Sequence, residues 1–121
     1  MKKTILTIDD SRTMRDMLRL ALEDAGFDIV QAVDGVDGID ALNRCTPSVI
    51  VTDINMPRMD GFGVIKAVRS DSRWRAVPIL VLTTESDDAK KQMARQAGAT
   101  GWIVKPFNPT KLVAAIHRVS P

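Results

Sequence analysis

Five polar side chains stand at the ends of short apolar runs, and their types can together bind a metal ion and an anion. They are Asp9, Asp10, Asp53, Thr83 and Lys105. The preceding runs are rich in Ile, Val and Leu, which is typical of buried strands. The sequence therefore predicts that several strands bring carboxylates, a hydroxyl and an amine to one end of a sheet.

The three carboxylates predict a metal site. Gathered in one place, Asp9, Asp10 and Asp53 would repel one another unless a cation lay among them. No His or Cys stands near them in the sequence, so the ligands are all oxygen, which selects a hard cation. Mg²⁺ fits best because it binds through one or two carboxylates and keeps several waters. The backbone carbonyl of Asn55 is a further candidate ligand.

The lysine and the hydroxyl predict a phosphoryl site beside the metal. Lys105 supplies a flexible point charge for an anion, and Thr83 supplies a hydrogen-bonding hydroxyl. The sequence has no glycine-rich phosphate loop, so we expect the phosphate to come from something other than a bound nucleotide.

The composition is typical of one soluble globular domain. The 121 residues are 45% hydrophobic and 26% charged, and this length can bury a single core. Seventeen basic and 15 acidic side chains are interspersed and give a net charge of +2. So small an excess does not predict nucleic-acid binding.

Other features of the sequence indicate a cytoplasmic location and no disulfide. The single cysteine, Cys45, is predicted to be a small buried hydrophobe. Lys2 and Lys3 precede an apolar stretch that Asp9 interrupts, which is too short for a signal peptide or a membrane span. His117 is predicted to be a surface or cap residue without a catalytic role.

Short β-branched runs alternate with helical patterns along the whole chain. The runs predict strands at about 4–9, 28–33, 48–53, 78–82 and 101–104. Between them, apolar residues recur at helical spacing, and Met14, Met17 and Met93 are interpreted as core residues. Ser11 and Asn108 are predicted N-caps, while Gly26 and Gly98 are predicted to end helices.

This alternation predicts a (βα)₅ α/β fold in which the chain from 1 to 121 forms one domain. Right-handed crossovers place helices on both faces of a doubly wound, five-stranded parallel sheet. Ligands of such sheets bind outside the carboxyl ends of the strands, near the point where strand order reverses. The polar residues named above all lie at those ends.

Four motifs resemble the receiver domains of two-component response regulators, and among them the single-domain chemotaxis regulators of CheY type. The motifs are Asp9-Asp10-Ser11, the segment from Asp53 to Gly61, Leu82-Thr83-Thr84-Glu85 and Lys105-Pro106-Phe107. In this order on a (βα)₅ pattern they are highly specific. The resemblance implies the flavodoxin-like strand order 2-1-3-4-5.

The family's residue roles transfer by position. Asp53 resembles the phosphoacceptor, which attacks a phosphohistidine of a partner kinase. Asp10 resembles the direct Mg²⁺ ligand, and Asp9 its partner acting through water. Thr83 resembles the switch hydroxyl, and Lys105 the residue that contacts the phosphoryl oxygens. The Lys105-Pro106 peptide bond is expected to be cis, as in the family.

Four further positions bear on the lifetime and the output of the phosphorylated state. Asn55 and Glu85 match the family positions that control attack by water, which implies a lifetime of seconds to minutes. Trp102 stands where the family usually has Tyr, Phe or His, and is predicted to belong to a switch or partner surface. Thr84 stands where a small residue is usual.

The resemblance implies a signalling protein that assists its own phosphorylation and dephosphorylation rather than an enzyme. We expect a monomer that acts by protein contact and binds neither nucleic acid nor membrane. The implied partners are a chemotaxis histidine kinase and a flagellar motor switch protein, with a phosphatase as a further one. The alternative within the family is a phosphate sink or phosphorelay intermediate.

Two other classes of protein use similar features. A flavin-binding electron carrier has the same kind of sheet, but Asp9 and Asp10 would repel its cofactor phosphate, and its preparation would be coloured. A Mg²⁺-dependent phosphatase with an aspartyl intermediate would share the acids and the lysine, and would turn over small phosphate esters. The sequence shows neither a cap nor a substrate pocket for such a phosphatase.

Overall fold

The computed structural model describes residues 2–121, in which five strands alternate with five helices. The strands are β1 (Thr4–Ile8), β2 (Asp28–Ala32), β3 (Val49–Thr52), β4 (Ile79–Thr83) and β5 (Gly101–Val104). Each predicted strand is present, and its ends lie within one residue of the prediction. Asp9, Asp53 and Lys105 therefore follow the last residues of their strands.

The helices begin where polar side chains can cap them. They are α1 (Arg12–Asp24), α2 (Gly35–Leu42), α3 (Gly61–Ser70), α4 (Asp88–Ala97) and α5 (Pro109–Val119). Each preceding side chain accepts a hydrogen bond from a backbone N–H in the first turn, which satisfies a donor that the helix leaves unpaired. The predicted N-caps Ser11 and Asn108 are confirmed. Gly98 is the C-cap of α4, and Gly26 follows the C-cap of α1; both have positive φ.

The strands form one parallel sheet in the order β2-β1-β3-β4-β5, which confirms the predicted fold class. Strand order reverses at β1, which pairs with β2 on one side and β3 on the other. Ile8 is the register partner of Thr52, so Asp9 and Asp53 leave the sheet side by side. Thr83 and Val104 are also partners, which brings Lys105 to the same edge.

Both faces of the sheet are covered by helices, and each face has its own core. On one face, Ile5 packs in a cluster with buried residues of α1 and α5. On the other, Leu6 and Ile8 pack in a cluster with residues of α2, α3 and α4. Because alternate side chains of a strand point to opposite faces, β1 anchors both cores. Asp9 and Asp10 therefore follow a strand that both cores hold in place.

Two of the three methionines interpreted as core residues are exposed. Met14 packs against the α1–α5 core, but Met17 is 44% exposed and Met93 is 55% exposed. The buried residues of α1 are Leu18 and Leu22, four positions apart. Met17 precedes Leu18 by one residue, which turns it about 100° from that stripe. Cys45 is half-buried, and burial raises the pKa of its thiol.

Candidate functional site

Asp53 lies in a buried position at the end of β3 and is held by its own turn. The residue is 8% exposed. Its backbone N–H donates to the carbonyl of Ile8 at 3.0 Å, which continues the pairing of β3 with β1. Its carboxylate Oδ1 accepts a hydrogen bond from the backbone N–H of Ile54 at 2.6 Å. The second oxygen, Oδ2, remains for the centre of the site.

Asp9 reaches the same centre from β1. The residue is 1% exposed, and its Oδ1 accepts a hydrogen bond from the backbone N–H of Ser11 at 2.9 Å. Asp10 is exposed at the edge. One carboxylate oxygen from each of Asp9, Asp10 and Asp53 lies within 4.8 Å of the others. Such a set of oxygens fits a hard divalent cation, as the sequence predicted.

Lys105 joins two of the three carboxylates. Its Nζ donates to Asp9 Oδ2 at 2.8 Å and to Asp53 Oδ2 at 2.9 Å. The lysine side chain is only 10% exposed, and its backbone N–H donates to the carbonyl of Thr83 at 2.8 Å. The peptide bond from Lys105 to Pro106 is cis, as expected. A positive charge thus already lies where the carboxylates converge.

The pKa of Lys105 reflects two opposing effects. Burial, the largest single effect, lowers the pKa of the ammonium because it removes water from the charged form. The hydrogen bonds and negative charges of Asp9 and Asp53 act together in the other direction. They raise the pKa above its ordinary value of 10.5, so the lysine is charged at neutral pH.

Thr83 and Trp102 both bond to the backbone of Glu85 rather than to the carboxylates. The hydroxyl of the fully buried Thr83 accepts a hydrogen bond from the backbone N–H of Glu85 at 3.2 Å. The indole Nε1 of the half-buried Trp102 donates to the carbonyl of Glu85 at 3.1 Å. Lys90 Nζ, on α4, lies 3.0 Å from the Glu85 carboxylate. Glu85 therefore links the end of β4 to both β5 and α4.

Glycine is required where the turn after Asp53 meets α3. A Cβ on Gly61 would lie 2.3 Å from the carbonyl oxygen of Asp53 and 2.8 Å from the Cα of Ile54. The backbone N–H of Gly61 donates to the carbonyl of Ile54 at 2.8 Å. The start of α3 is thus pressed against the backbone that carries Asp53. Asn55 lies exposed in this turn.

The contacts that sequence reasoning missed are those between loops. The pattern gave no sign of the Lys90–Glu85 ion pair or of an ion pair between Arg58 and Asp34. The backbone donors Ile54 and Ser11 were also missed, although a carboxylate at a strand end or before a helix commonly binds nearby N–H groups. The signal that could have revealed these donors is a carboxylate followed directly by a turn.

A family comparison identifies what these residues belong to. The response regulator receiver domain family matches residues 5–117. The chain belongs to this family of receiver domains. It is 41% identical to the chemotaxis protein CheY1 of Helicobacter pylori over 110 residues, which cover 89% of each chain.

Two more relatives include one protein of about the same length and one about twice as long. The solved structure of Vibrio cholerae chemotaxis protein CheY4 is 43% identical and superposes with a TM-score of 0.94, covering 98% of this chain and 99% of that one. A probable transcriptional regulator, ycf27 of Porphyridium aerugineum, is 38% identical over 118 residues, which make up 48% of its length.

Membership of the family decides between the interpretations that the sequence left open. The flavin-carrier and phosphatase interpretations are rejected in favour of a receiver domain of CheY type, a signalling domain of two-component systems that interacts with a histidine kinase and a downstream target. Within residues 2–121, no helix has both the length and the apolar composition needed to cross a membrane.

The ion pairs of Lys105 should give the protein a distinct alkaline dependence. Because the pKa of Lys105 is raised in the folded state, its contribution to stability is complete below its unfolded pKa of about 10.5 and is lost as pH rises through the higher folded pKa. We expect the free energy of unfolding of Lys105→Met to fall less steeply with rising pH than that of the wild type. Urea unfolding from about pH 8 to about pH 11.5 measures this slope.

Lys66→Met is the matched control. Lys66 is exposed on α3, and its substitution should leave the alkaline slope of the wild type unchanged. Equal slopes for the wild type and Lys105→Met would show that the lysine does not couple to Asp9 and Asp53.

Proposed function

We propose that this receiver domain, as a single domain over residues 1–121, accepts a phosphoryl group on Asp53. The observation that carries the proposal is the position of the Lys105 ammonium, which donates to both Asp9 and Asp53 at the meeting point of three carboxylates. Phosphoryl transfer needs positive charge near the phosphoryl oxygens. At this edge the lysine supplies one positive charge, and the clustered acids can hold a cation that supplies the other.

The phosphoryl donor is proposed to be a phosphohistidine of a partner kinase. Asp53 Oδ2, which accepts a hydrogen bond from Lys105, attacks phosphorus and forms a P–O bond while the P–N bond breaks. The bonding electron pair leaves with the imidazole nitrogen, which then takes a proton. Lys105 lies 2.9 Å from the attacking oxygen and can follow the charge onto the phosphoryl oxygens.

Mg²⁺ is proposed to be the cation of the site. When bound, it would neutralise phosphoryl oxygens and align them for the displacement. Asp9 has both oxygens engaged, one by Ser11 and one by Lys105, whereas Asp10 is exposed. Asp53 also has both oxygens engaged, by Ile54 and Lys105, so this difference supports Asp10 as a direct ligand. By resemblance to receiver domains, Asp53 and the Asn55 carbonyl are proposed as further direct ligands, and Asp9 as a ligand acting through water.

The hydroxyl of Thr83 is proposed to report phosphorylation to the surface. Its oxygen accepts a hydrogen bond from the Glu85 N–H, and its O–H could donate to a phosphoryl group on Asp53, a charged acceptor that would draw the hydroxyl away from Glu85. A shift of Glu85 would move the carbonyl that holds Trp102. The surface formed by Trp102 and α4 would therefore respond to the site.

Asp53→Asn tests the phosphoacceptor. We expect Mg²⁺-dependent labelling by radiolabelled acetyl phosphate to be lost, because an amide cannot form the acyl phosphate. Asp60→Asn is the matched control, since Asp60 caps α3 and Asn caps a helix equally well. An acid-stable, base-labile label that persists in Asp53→Asn would contradict the proposal.

Asn55 and Glu85 are proposed to set how long the phosphoryl group lasts. The Glu85 carboxylate is held by Lys90 just after the end of β4 and is proposed to shield the acyl phosphate, so Glu85→Ala should admit water and shorten the lifetime. The Asn55 amide can orient a water toward phosphorus, so Asn55→Ala should lengthen it. Loss of radiolabel over time measures both rates.

Gln92→Ala, an exposed change on the same helix as Lys90, serves as the control for that experiment. Unchanged rates in both Asn55→Ala and Glu85→Ala would remove these two residues from the proposal. The phosphoacceptor assignment does not depend on them.

The output is proposed to be contact with a flagellar motor switch protein, in a pathway that begins at a chemotaxis histidine kinase. The support is similarity along most of the chain to CheY1 and CheY4, which are named as chemotaxis proteins. The alternative is a receiver that serves as a phosphate sink or phosphorelay intermediate. Such a protein would pass on or lose its phosphoryl group without binding the motor.

Binding of a motor-switch peptide separates these outputs. We expect tighter binding with beryllofluoride, an acyl-phosphate mimic, than without it, accompanied by a change in Trp102 fluorescence. The experiment is best done in Trp74→Phe, because Trp74 is the other tryptophan and is buried. Equal binding, or none, in both states would favour the phosphate sink.

A further inference from the structure

Arg58 has a backbone conformation that residues other than glycine rarely adopt. Its φ is 66°, in the left-handed region where a Cβ approaches the following carbonyl. The backbone N–H of Met59 donates across it to the carbonyl of Pro57 at 2.8 Å, which is the hydrogen bond of a γ-turn in its strained form. Glycine would occupy this position at lower cost, so the arginine side chain must be retained for another reason.

The Arg58 side chain reaches a buried carboxylate on a different loop. Its Nε donates to Asp34 Oδ2 at 2.7 Å and its Nη2 to Asp34 Oδ1 at 3.0 Å. This bidentate geometry is the strongest form of an arginine–carboxylate pair. The Asp34 side chain is only 6% exposed, and the hydrogen bond from Arg58 lowers its pKa. Asp34 also caps α2 through the backbone N–H of Asp37.

The same two loops are joined by backbone as well. The N–H of Gly35 donates to the carbonyl of Met59 at 3.1 Å. A Cβ on Gly35 would lie 2.3 Å from that carbonyl oxygen, so the chains approach as closely as glycine allows. The ion pair and this hydrogen bond lie on adjacent residues of each loop, and we call them together the Arg58–Asp34 clasp.

The clasp acts on the loop that begins at the phosphoacceptor. This loop leaves β3 at Asp53, passes through Asn55 and ends at α3, where Gly61 bonds back to Ile54. The clasp fixes the middle of the loop. We propose that the Arg58–Asp34 clasp is a positioning element, which holds the Asn55 carbonyl and Asp53 in the arrangement that receives the divalent cation. This inference rests on the proposed function.

Arg58→Gly separates positioning from charge. The substitution removes the ion pair of the clasp and relieves the positive φ. If Arg58 acted only through its charge, its removal beside a cation site would strengthen Mg²⁺ binding. Positioning predicts the opposite sign. We expect Mg²⁺ to bind about 10-fold more weakly, a typical effect of losing a group that orients metal ligands, and the amides of residues 54–59 to exchange hydrogen faster in the metal-free protein.

Two further variants complete the experiment. Asp34→Asn combined with Arg58→Gly leaves no unpaired buried charge and keeps a good cap for α2, so it should fold and should bind Mg²⁺ no more weakly than Arg58→Gly alone. Arg73→Ala removes another arginine paired with an aspartate, Asp71, beyond the end of α3. It should bind Mg²⁺ like the wild type.

The outcomes distinguish the clasp from the function on which it depends. Unchanged or tighter Mg²⁺ binding by Arg58→Gly, measured by calorimetry, would overturn the clasp inference while the wild type remained a phosphorylated receiver. If the wild type itself neither bound Mg²⁺ nor took a label from acetyl phosphate, the proposed function would fail and the clasp inference with it. Unchanged exchange of residues 54–59 would also overturn the inference.

Discussion

The ion pairs of Lys105 are the interaction on which the site depends. A parallel sheet brings the ends of β1 and β3 together, and the register of those strands places Asp9 beside Asp53. The negative charges of these two carboxylates and of the neighbouring Asp10 repel one another at such short range. In a partly dehydrated site this repulsion would push the loops apart. The ammonium of Lys105, delivered from β5, holds them at 2.8 Å and 2.9 Å. The fold thus stores a charged cluster that is only partly neutralised.

The charge of this cluster explains why a metal and a phosphoryl group belong together in it. Three carboxylates and one ammonium leave two formal negative charges, which a divalent cation would balance. The proposed transfer of a phosphoryl group to Asp53 would replace the charge of its carboxylate with about −1.5 to −2 at neutral pH. The balance with one divalent cation and one lysine is therefore nearly the same before and after transfer. A phosphoryl group without the cation would leave the cluster strongly negative.

The sequence predicted the sheet and the grouping of the three carboxylates with Lys105 because both follow from regular rules. An apolar run followed by Asp, Thr or Lys is visible along the chain, and parallel pairing alone brings such ends together. The buried faces of the helices were predicted less well. Met17 was assigned to the core although it is exposed, because it lies only one position from the buried Leu18. The Arg58–Asp34 and Lys90–Glu85 pairs had no signal. They join loops or a loop to a helix, where no periodicity applies, and an arginine does not mark a left-handed turn as glycine would.

Glu85 shows how a small change at Asp53 can reach the surface. Its backbone N–H bonds to Thr83, its carbonyl to Trp102 and its carboxylate to Lys90. These three contacts belong to β4, β5 and α4, so the residue cannot shift without altering at least two of them. A phosphoryl group that attracts the Thr83 hydroxyl would weaken the first contact and allow Glu85 to shift, which would alter the other contacts. Because Trp102 is bound through a backbone carbonyl, its response depends on the position of the Glu85 backbone rather than on the charge of its side chain.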